Sequence, residues 1–202
     1  MKSNDFDKVA RIYDVLARLV FGRSIVDAQK YFLHRIPRNA RVLIVGGGSG
    51  WIIRELWMLR PDASISYVDA SEKMIAAARK KATKSEIRFI TGMENDIPGE
   101  SFDVVMTHFY LDLFPEEKLG VVVRRIKLAL KPGGIWLATD FLDKKRWMRW
   151  LLKLMFLFFR IASNIESRRL GDWNKVITDE GGKKDDSKVF YGGFIQATVF
   201  QF

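Results

Sequence analysis

Apolar and polar positions follow two different periods along this chain. In residues 5–36 the apolar side chains recur at spacings of three and four, which predicts two amphipathic helices separated at Gly22 and stopped by Pro37. At residues 42–45 the pattern changes to a short, continuous apolar run that ends in glycines. Such a run predicts a strand that is buried on both faces, as in a parallel sheet.

Strand-like and helix-like segments alternate after this first strand. The predicted strands cover residues 65–69, 86–90, 102–109 and 134–141, and the predicted helices cover residues 51–59, 71–82 and 115–130. A turn is predicted at residues 131–134, where the sequence Lys-Pro-Gly-Gly precedes the last of these strands. This alternating order is typical of a parallel sheet covered by helices on both faces.

The last third of the chain departs from this alternation. Residues 146–162 predict one long amphipathic helix, and residues 168–180 predict a shorter, charged one. Residues 189–202 carry Gly192 and Gly193 between two apolar runs, which predicts two antiparallel strands at an edge of the sheet.

Composition narrows the chemistry that the chain can perform. Its 202 residues include no cysteine and two histidines, which excludes disulfides, cysteine–zinc sites and thiol catalysis. The charged N-terminus lacks the apolar core of a signal peptide, so we expect a cytoplasmic protein. The formal net charge of +10 predicts attraction to an anionic partner, which could be a nucleic acid, a membrane surface or an acidic substrate.

A glycine-rich loop follows the first strand and is the sharpest chemical signal in the sequence. Gly46, Gly48 and Gly50 allow a tight turn from strand to helix and let the backbone approach a ligand closely. Ligands of open parallel sheets bind outside the carboxyl ends of the strands, near this turn. The loop therefore predicts a site for a nucleotide-type cofactor.

The residues around the loop limit which nucleotide it binds. A dinucleotide fingerprint starting at Gly46 would need glycine at position 51, where the chain has Trp51, and this disfavours an NAD-type oxidoreductase. The Gly-Lys-Ser/Thr of a phosphate loop is also missing. Asp69, at the end of the second strand, can accept hydrogen bonds from ribose hydroxyls, but it does so in several cofactor classes.

Four segments resemble motifs of the class I S-adenosylmethionine-dependent methyltransferases. They are VLIVGGGSGWIIREL, YVDASEKMIAAARKKA, ITGMENDIPGESFDVV and LALKPGGIWLATDF, and the resemblance runs from about residue 40 to residue 141. FDKVARIYD near the N-terminus resembles the helix that closes over the cofactor in the quinone-biosynthesis C-methyltransferases of this superfamily. The resemblance implies an α/β fold, a three-layer Rossmann-like seven-stranded sheet that is mostly parallel with an antiparallel C-terminal strand.

The same resemblance implies a binding site for S-adenosylmethionine, the methyl donor. The residues that it assigns to cofactor binding are Gly46, Gly47, Gly48, Gly50, Asp69, Ala70, Met74, Met93, Glu94 and Thr107. The glycines would wrap the methionine portion, Asp69 would hold the ribose, and Ala70 and Met74 would pack on the adenine. Two positions depart from the family pattern, because Ile44 and Met93 stand where the family usually or often has an acidic residue.

The catalytic residues are less sharply indicated, since methyl transfer depends mainly on positioning. His108 is the candidate for a general base, and Tyr13 is the second candidate for a catalytic role. Tyr110 and Asp112 are candidates for orienting the substrate, because all of these lie at or near the predicted carboxyl edge of the sheet. No metal site is expected.

The excess positive charge is concentrated late in the chain. Residues 141–170 hold eight Lys or Arg against two Asp or Glu, interleaved with aromatic side chains. Such a helix can lie on an anionic bilayer, and residues 144–162 are the candidate for peripheral contact with the inner face of a membrane. The same face can instead cover the active site or a partner in a homodimer. No nucleic-acid-binding module accompanies the charge, so no nucleic acid partner is expected.

We therefore expect one methyltransferase domain over residues 1–202 that methylates a small, hydrophobic acceptor. Residues 1–38 would form a helical lid, residues 40–141 the cofactor-binding core, and residues 142–202 the lid helix and the closing strands. A non-catalytic S-adenosylmethionine-binding or interaction protein is the alternative, motivated by Ile44 and Met93.

Overall fold

The computed structural model describes residues 21–82, 87–99, 101–163 and 170–202, and for residues 156–163 it describes the backbone. The predicted N-terminal helix with Tyr13 lies outside these ranges. The described chain forms a seven-stranded sheet of order β3-β2-β1-β4-β5-β7-β6. Its strands are β1 Arg41–Val45, β2 Ser64–Asp69, β3 Ile87–Thr91, β4 Phe102–His108, β5 Leu130–Phe141, β6 Lys183–Phe190 and β7 Ile195–Gln201.

Six α-helices accompany the sheet in the described ranges. They are α1 Ser24–Lys30, α2 Trp51–Leu59, α3 Glu72–Lys81, α4 Glu116–Lys127, α5 Arg146–Ser163 and α6 Trp173–Asp179. Short 3₁₀ turns occupy Leu33–Arg35, Glu94–Asp96, Leu111–Leu113 and Tyr191–Gly193. Within the described residues, no helix is both long enough and apolar enough to cross a bilayer.

The sheet confirms the predicted fold class. Strands β1 to β5 pair in parallel, and β7 runs antiparallel to both β5 and β6. The chain moves from β1 to β2 and β3 on one side and then returns to β4 and β5 on the other. The order of the strands therefore reverses between β1 and β4, which is where open α/β sheets bind ligands at their carboxyl edge.

Two predictions from sequence need correction. The turn expected at residues 131–134 lies inside β5, because Leu130 already pairs with Phe102 and the register shifts before Ile135 pairs with Val104. Gly133, at φ +79°, absorbs this irregularity. The segment 25–36 is also not one helix, since α1 ends at Lys30 and a 3₁₀ turn follows.

Helices cover both faces of the sheet and form two main hydrophobic cores. On one face α2 and α3 bury Ile53, Leu56 and Ala78 against the strands. On the other face α4 and α6 bury Leu119 and Trp173 among side chains that include Trp136 and Phe200. The central strands β1, β4 and β7 are therefore buried on both sides, whereas the edge strand β6 is largely exposed.

Candidate functional site

The glycine loop between β1 and α2 lies at the carboxyl edge of the sheet, at the point where the strand order reverses. The amide of Gly46 donates to the carbonyl of Val68 at 2.9 Å, which ties the loop to β2. Gly46, Gly48 and Gly50 all have positive φ, at +69°, +62° and +77°. Glycine is the residue that adopts this conformation without strain, so the backbone explains the sequence pattern.

Each glycine of the loop has a different environment. A Cβ on Gly46 would fall 2.3 Å from Cδ2 of Tyr110, and one on Gly50 would fall 2.6 Å from Cβ of Ala78. A Cβ on Gly48 would meet nothing within 4 Å. Gly46 and Gly50 therefore serve close packing, while Gly48 faces open space in which a ligand can approach the backbone.

Tyr67 supports the loop from below. A Cβ on Gly47 would fall 2.2 Å from the ring carbon Cζ of Tyr67, and the hydroxyl of Tyr67 donates to the carbonyl of Gly48 at 3.0 Å. Burial raises the pKa of Tyr67 well above its usual value, so its hydroxyl remains a donor. Sequence reasoning missed this residue, although its position two before Asp69 places both on the same face of β2.

Asp69 holds the glycine loop and the start of α3 together. Its Oδ2 accepts from the amide of Gly48 at 2.7 Å, and its Oδ1 accepts from the amide of Ser71 at 2.9 Å. A carboxylate has about four acceptor positions. Asp69 is half-buried at this edge, and a carboxylate is a suitable acceptor for the hydroxyls of a ribose, so its chemistry fits the role implied by the resemblance.

The start of α3 places two further predicted residues beside Asp69. Ser71 caps the helix, with its Oγ accepting from the amide of Met74 at 3.2 Å, as the sequence predicts. Ala70 and Met74 are both half-buried. They form an apolar surface next to the carboxylate that is suited to the face of a base.

The turn after β3 brings Met93 and Glu94 to the same edge. The amide of Gly92 donates to the carbonyl of Asp69 at 2.9 Å, and the amide of Met93 donates to Oδ2 of Asp96 at 2.9 Å. Met93 is half-buried against the core that α4 and α6 cover. The structure therefore brings Met93, Glu94 and Asp69 together at this edge.

Tyr110 connects this turn to the glycine loop. Its hydroxyl donates to Oε2 of Glu94 at 2.9 Å while its ring lies against Gly46. Burial, and then the charge of Glu94, raise the pKa of Tyr110 well above its usual value. Tyr110, two residues after the end of β4, thus bridges two loops that the sequence assigns to the cofactor.

Two positions that the resemblance places near the cofactor, Thr107 and Ile44, have side chains in the core. The Oγ1 of Thr107 accepts from Nε1 of Trp136 at 2.8 Å, and the side chain is 1% exposed. Its cofactor contact stays a prediction, and its side chain serves the core. Ile44 is also buried, and because it is an isoleucine this position of β1 brings no carboxylate to the loop edge.

His108 ends β4 beside a strained backbone. Burial lowers its pKa to about 3, so the imidazole is neutral near pH 7 and holds an added proton weakly. Such low basicity weighs against His108 as a general base, and its catalytic role stays a prediction. The next residue, Phe109, has φ +53°, an uncommon value for a bulky residue and one that concentrates at functional sites.

Asp140, at the end of β5, is a buried acidic residue that sequence reasoning missed. Its Oδ2 accepts from the amides of Leu111 and Asp112 at 3.0 Å and 3.2 Å, and its Oδ1 accepts from the amide of Phe141 at 2.8 Å. It therefore fixes the turn that carries Tyr110. The TDF segment gave no signal for this role, because an Asp before a buried Phe has no distinctive spacing.

Asp112 and Asp140 form a buried pair of carboxyl groups. Burial raises the pKa of Asp112 to about 7, and burial together with the charge of Asp112 raises the pKa of Asp140. The Oδ1 of Asp112 has no hydrogen-bond partner in the described structure. Within the described residues no group of three His, Cys, Asp or Glu side chains is arranged to hold a metal ion.

The chain matches known methyltransferases in sequence. Residues 42–134 match the family model described as a methyltransferase domain. The demethylmenaquinone methyltransferase of Listeria monocytogenes is 28% identical over 137 residues, which cover 64% of this chain and 57% of that protein. The chain spans about half to three-fifths of the length of the first curated relatives that it matches.

Solved structures share the fold at low identity. A chain in the complex between the Haloferax volcanii Trm112 methyltransferase activator and a methyltransferase aligns with a TM-score of 0.73 and 18% identity, covering 96% of both chains. The 1,6-didemethyltoxoflavin-N1-methyltransferase of Burkholderia thailandensis, solved with bound 1,6-didemethyltoxoflavin and S-adenosylhomocysteine, aligns with a TM-score of 0.71 and 16% identity. This alignment covers 98% of this chain and 86% of that one.

Proposed function

Because the chain belongs to the class I S-adenosylmethionine-dependent methyltransferase superfamily, we propose that it transfers the methyl group of S-adenosylmethionine to a small, hydrophobic acceptor. The observation that carries the proposal is the arrangement of Asp69, which orders the glycine loop through Gly48 and places a half-buried carboxylate at the rim of the site. When bound, S-adenosylmethionine would supply an electrophilic methyl group. The acceptor would form a bond to the methyl carbon as the carbon–sulfur bond breaks, the electron pair of that bond would stay on sulfur, and the proton of the acceptor would pass to solvent.

The residues of the chain act by binding and orientation. Asp69 accepts hydrogen bonds from the ribose hydroxyls, and Gly48 leaves space for the ligand to approach the backbone. Ala70 and Met74 pack against the adenine base. Tyr67 and Tyr110 hold the loop in this shape from two sides. Fixed groups of this kind lower the entropy lost when donor and acceptor are brought into line.

Aromatic side chains support a hydrophobic acceptor. The rings of Phe109 and Phe141, at the ends of β4 and β5, lie with centroids 4.8 Å apart. Phe141 also packs against Phe194 at 4.9 Å, and Phe21 lies edge-on to Tyr191 at 5.2 Å. Phe141, Phe194 and Phe21 are buried, so Phe109 and Tyr191, which are half-buried, are the rings that this group offers to an apolar acceptor on the side of the carboxyl edge away from Asp69.

Titration calorimetry with S-adenosylhomocysteine tests the binding site. Replacing Asp69 by Ala removes the ribose acceptor and two backbone contacts, and we expect a rise in Kd of at least about tenfold. Glu117→Ala removes an exposed carboxylate at the start of α4 and should leave Kd unchanged. Absence of binding to the unsubstituted protein, or equal affinity of both variants, contradicts the proposal.

The acceptor can be sought by mass spectrometry. The protein and S-adenosylmethionine are incubated with an extract of small apolar metabolites, and products heavier by one methylene are identified. A product that needs both the protein and the methyl donor supports the proposal. The expectations of a cytoplasmic location and of a homodimer stay predictions.

A non-catalytic S-adenosylmethionine-binding protein is the second candidate, favoured by the burial of Ile44. Since this strand position offers no carboxylate, the ammonium of the ligand would have to be held by other groups. Binding of S-adenosylhomocysteine with no methylated product from any apolar extract would favour this candidate.

A further inference from the structure

The first part of α5 is attached to the body of the protein along one side. Met148 and Leu152 are 1% and 3% exposed and belong to the core that includes Phe141 and Phe194. Leu151 and Met155 are half-buried against the same core. The inner side of α5 is therefore fully used in packing.

A second apolar stripe on α5 faces solvent. Trp147, Trp150 and Leu154 are 42%, 65% and 44% exposed. At 3.6 residues per turn these three side chains lie on one side of the helix, next to the buried side. We refer to Trp147, Trp150 and Leu154 as the outer stripe. Large apolar side chains that are exposed together in this way mark an interaction surface.

Positive charge borders the outer stripe. Arg146, Arg149 and Lys153 each come one residue before a member of the outer stripe. They therefore form a row parallel to the stripe, on the side of the stripe that faces away from the core. Lys144 and Lys145 precede the helix and add positive charge near its start, where Nζ of Lys145 donates to the carbonyl of Gly192 at 3.3 Å. All five cations are exposed. Asp143 is the one acidic residue between positions 143 and 155.

We propose that the outer stripe and its row of cations dock the protein on the surface of an anionic lipid bilayer. Tryptophan and leucine enter the boundary between headgroups and acyl chains, while adjacent Lys and Arg remain at the level of the phosphates. The helix would lie on the bilayer without crossing it, in keeping with the hydropathy of the described helices. This inference does not rest on the proposed methyl transfer.

Other occupants fit the surface less well. A second copy that used the same face in a two-fold dimer would bring ten cations into one interface without an added negative charge, which like charges disfavour. A nucleic acid would pair with the cations, but no recognisable nucleic-acid-binding module accompanies them in the sequence. An anionic bilayer satisfies both the apolar and the charged side chains.

Vesicle sedimentation tests the proposal. We expect the protein to pellet with vesicles of phosphatidylcholine and phosphatidylglycerol, to remain in solution with phosphatidylcholine alone, and to be released by raised salt. The triple variant Arg146→Gln, Arg149→Gln, Lys153→Gln should bind about 100-fold more weakly, since each cation near an anionic surface contributes about fivefold. Arg54→Gln, Lys183→Gln, Lys184→Gln removes the same charge elsewhere and should bind like the parent protein to within about tenfold.

A second pair of variants tests the apolar contact. Trp150→Gln should weaken binding about tenfold, as expected for losing roughly 60 Å² of apolar burial. Met58→Gln, which alters an exposed apolar side chain of α2, should have no effect. Thermal unfolding of every variant verifies that it is folded.

Three results would overturn the proposal. The first is that the folded parent protein does not bind the anionic vesicles, and the second is that both triple variants weaken vesicle binding equally. The third is a concentration-dependent dimer that the Trp150→Gln variant no longer forms and that vesicles do not displace. Binding to a single-stranded oligonucleotide by a protein that does not bind the vesicles would be one form of the first of these results.

Discussion

The ring of Tyr110 lies so close to Gly46 that a Cβ on residue 46 would fall 2.3 Å from the ring carbon Cδ2. Tyr110 follows β4 and Gly46 follows β1, so this contact joins the two strands between which the order of the sheet reverses. The loop on which a ligand would rest is therefore shaped by a residue more than sixty positions further along the chain.

Gly46→Ala should destabilise the protein by about 2–4 kcal/mol. Part of this change comes from the positive φ, and the larger part comes from overpacking against Tyr110. Gly48→Ala shares the positive φ but meets no neighbour, so we expect a loss of about 1 kcal/mol with a marked loss of S-adenosylhomocysteine affinity. Urea unfolding and calorimetry measure the two effects, and equal destabilisation by the two variants would contradict the prediction.

Tyr110→Phe should separate the two contacts of this residue. The ring remains on Gly46 while Glu94 loses its hydrogen-bond donor. We expect unfolding to become easier by about 1 kcal/mol and S-adenosylhomocysteine to bind about fivefold more weakly, because Glu94 is no longer oriented. Tyr31→Phe, at an exposed ring, is the control for loss of a hydroxyl.

The Asp112–Asp140 pair should make stability depend on pH. Burial raises the pKa of both carboxyl groups, so between about pH 4, the ordinary value, and about pH 7 the folded chain holds protons that the unfolded chain has lost. Stability is therefore fully present below this window and falls as pH rises through it, by up to about 1.4 kcal/mol per pH unit for each proton.

Asp112→Asn tests this dependence. The free energy of unfolding of this variant minus that of the parent protein should be roughly 2–3 kcal/mol more positive at pH 8 than at pH 5, because the parent loses stability over this range. Glu117→Gln, at an exposed carboxylate, should follow the parent protein at both pH values. A parallel shift of Asp112→Asn at both pH values would show that the pair does not titrate in this range.

His108 should make stability depend on pH in the opposite direction to the Asp112–Asp140 pair. Its pKa is lowered to about 3 by burial, so between about pH 6.5 and pH 3 the unfolded chain holds a proton that the folded chain does not. Stability is therefore lost as pH falls through this window. His108→Gln should reduce that acid sensitivity, whereas His34→Gln, at the exposed histidine, should not.

The same His108→Gln variant tests the catalytic role predicted from sequence. A general base typically contributes about 10²- to 10⁴-fold to turnover. Because the imidazole is only weakly basic, we expect kcat to fall by less than about tenfold. A loss of a hundredfold or more, with a pH–rate profile that loses one ionisation, would establish His108 as the base.

The five parallel strands, β7 and most helices could be predicted from the chain because each has its own local signal. Strand β6 is expected within residues 189–202 but begins at Lys183, in a charged segment that has no such signal. The run at residues 42–45 is apolar on both faces, and Ser71 caps α3 where the sequence places a helix start. The bulge around Gly133 could not be predicted in this way. A Pro-Gly-Gly segment reads as a turn, and only pairing with the distant β4 keeps it within a strand.

The residues of the candidate site also divide into those with a local sequence signal and those without one. Gly46, Gly48, Gly50 and Asp69 carry a recognisable spacing, and the structure brings them together. Tyr67 and Asp140 act through contacts with residues distant in sequence, which no local pattern encodes. The buried bond between Thr107 and Trp136 likewise depends on the pairing of β4 with β5.

The bond between the Gly48 amide and Asp69 has a consequence for how a ligand would be received. Because a side chain already occupies this amide, the loop acquires its shape during folding and need not wait for a ligand. The Gly48 amide should therefore exchange slowly with deuterated solvent in the ligand-free protein, and addition of ligand should change its exchange rate much less than it changes those of a loop that orders on binding.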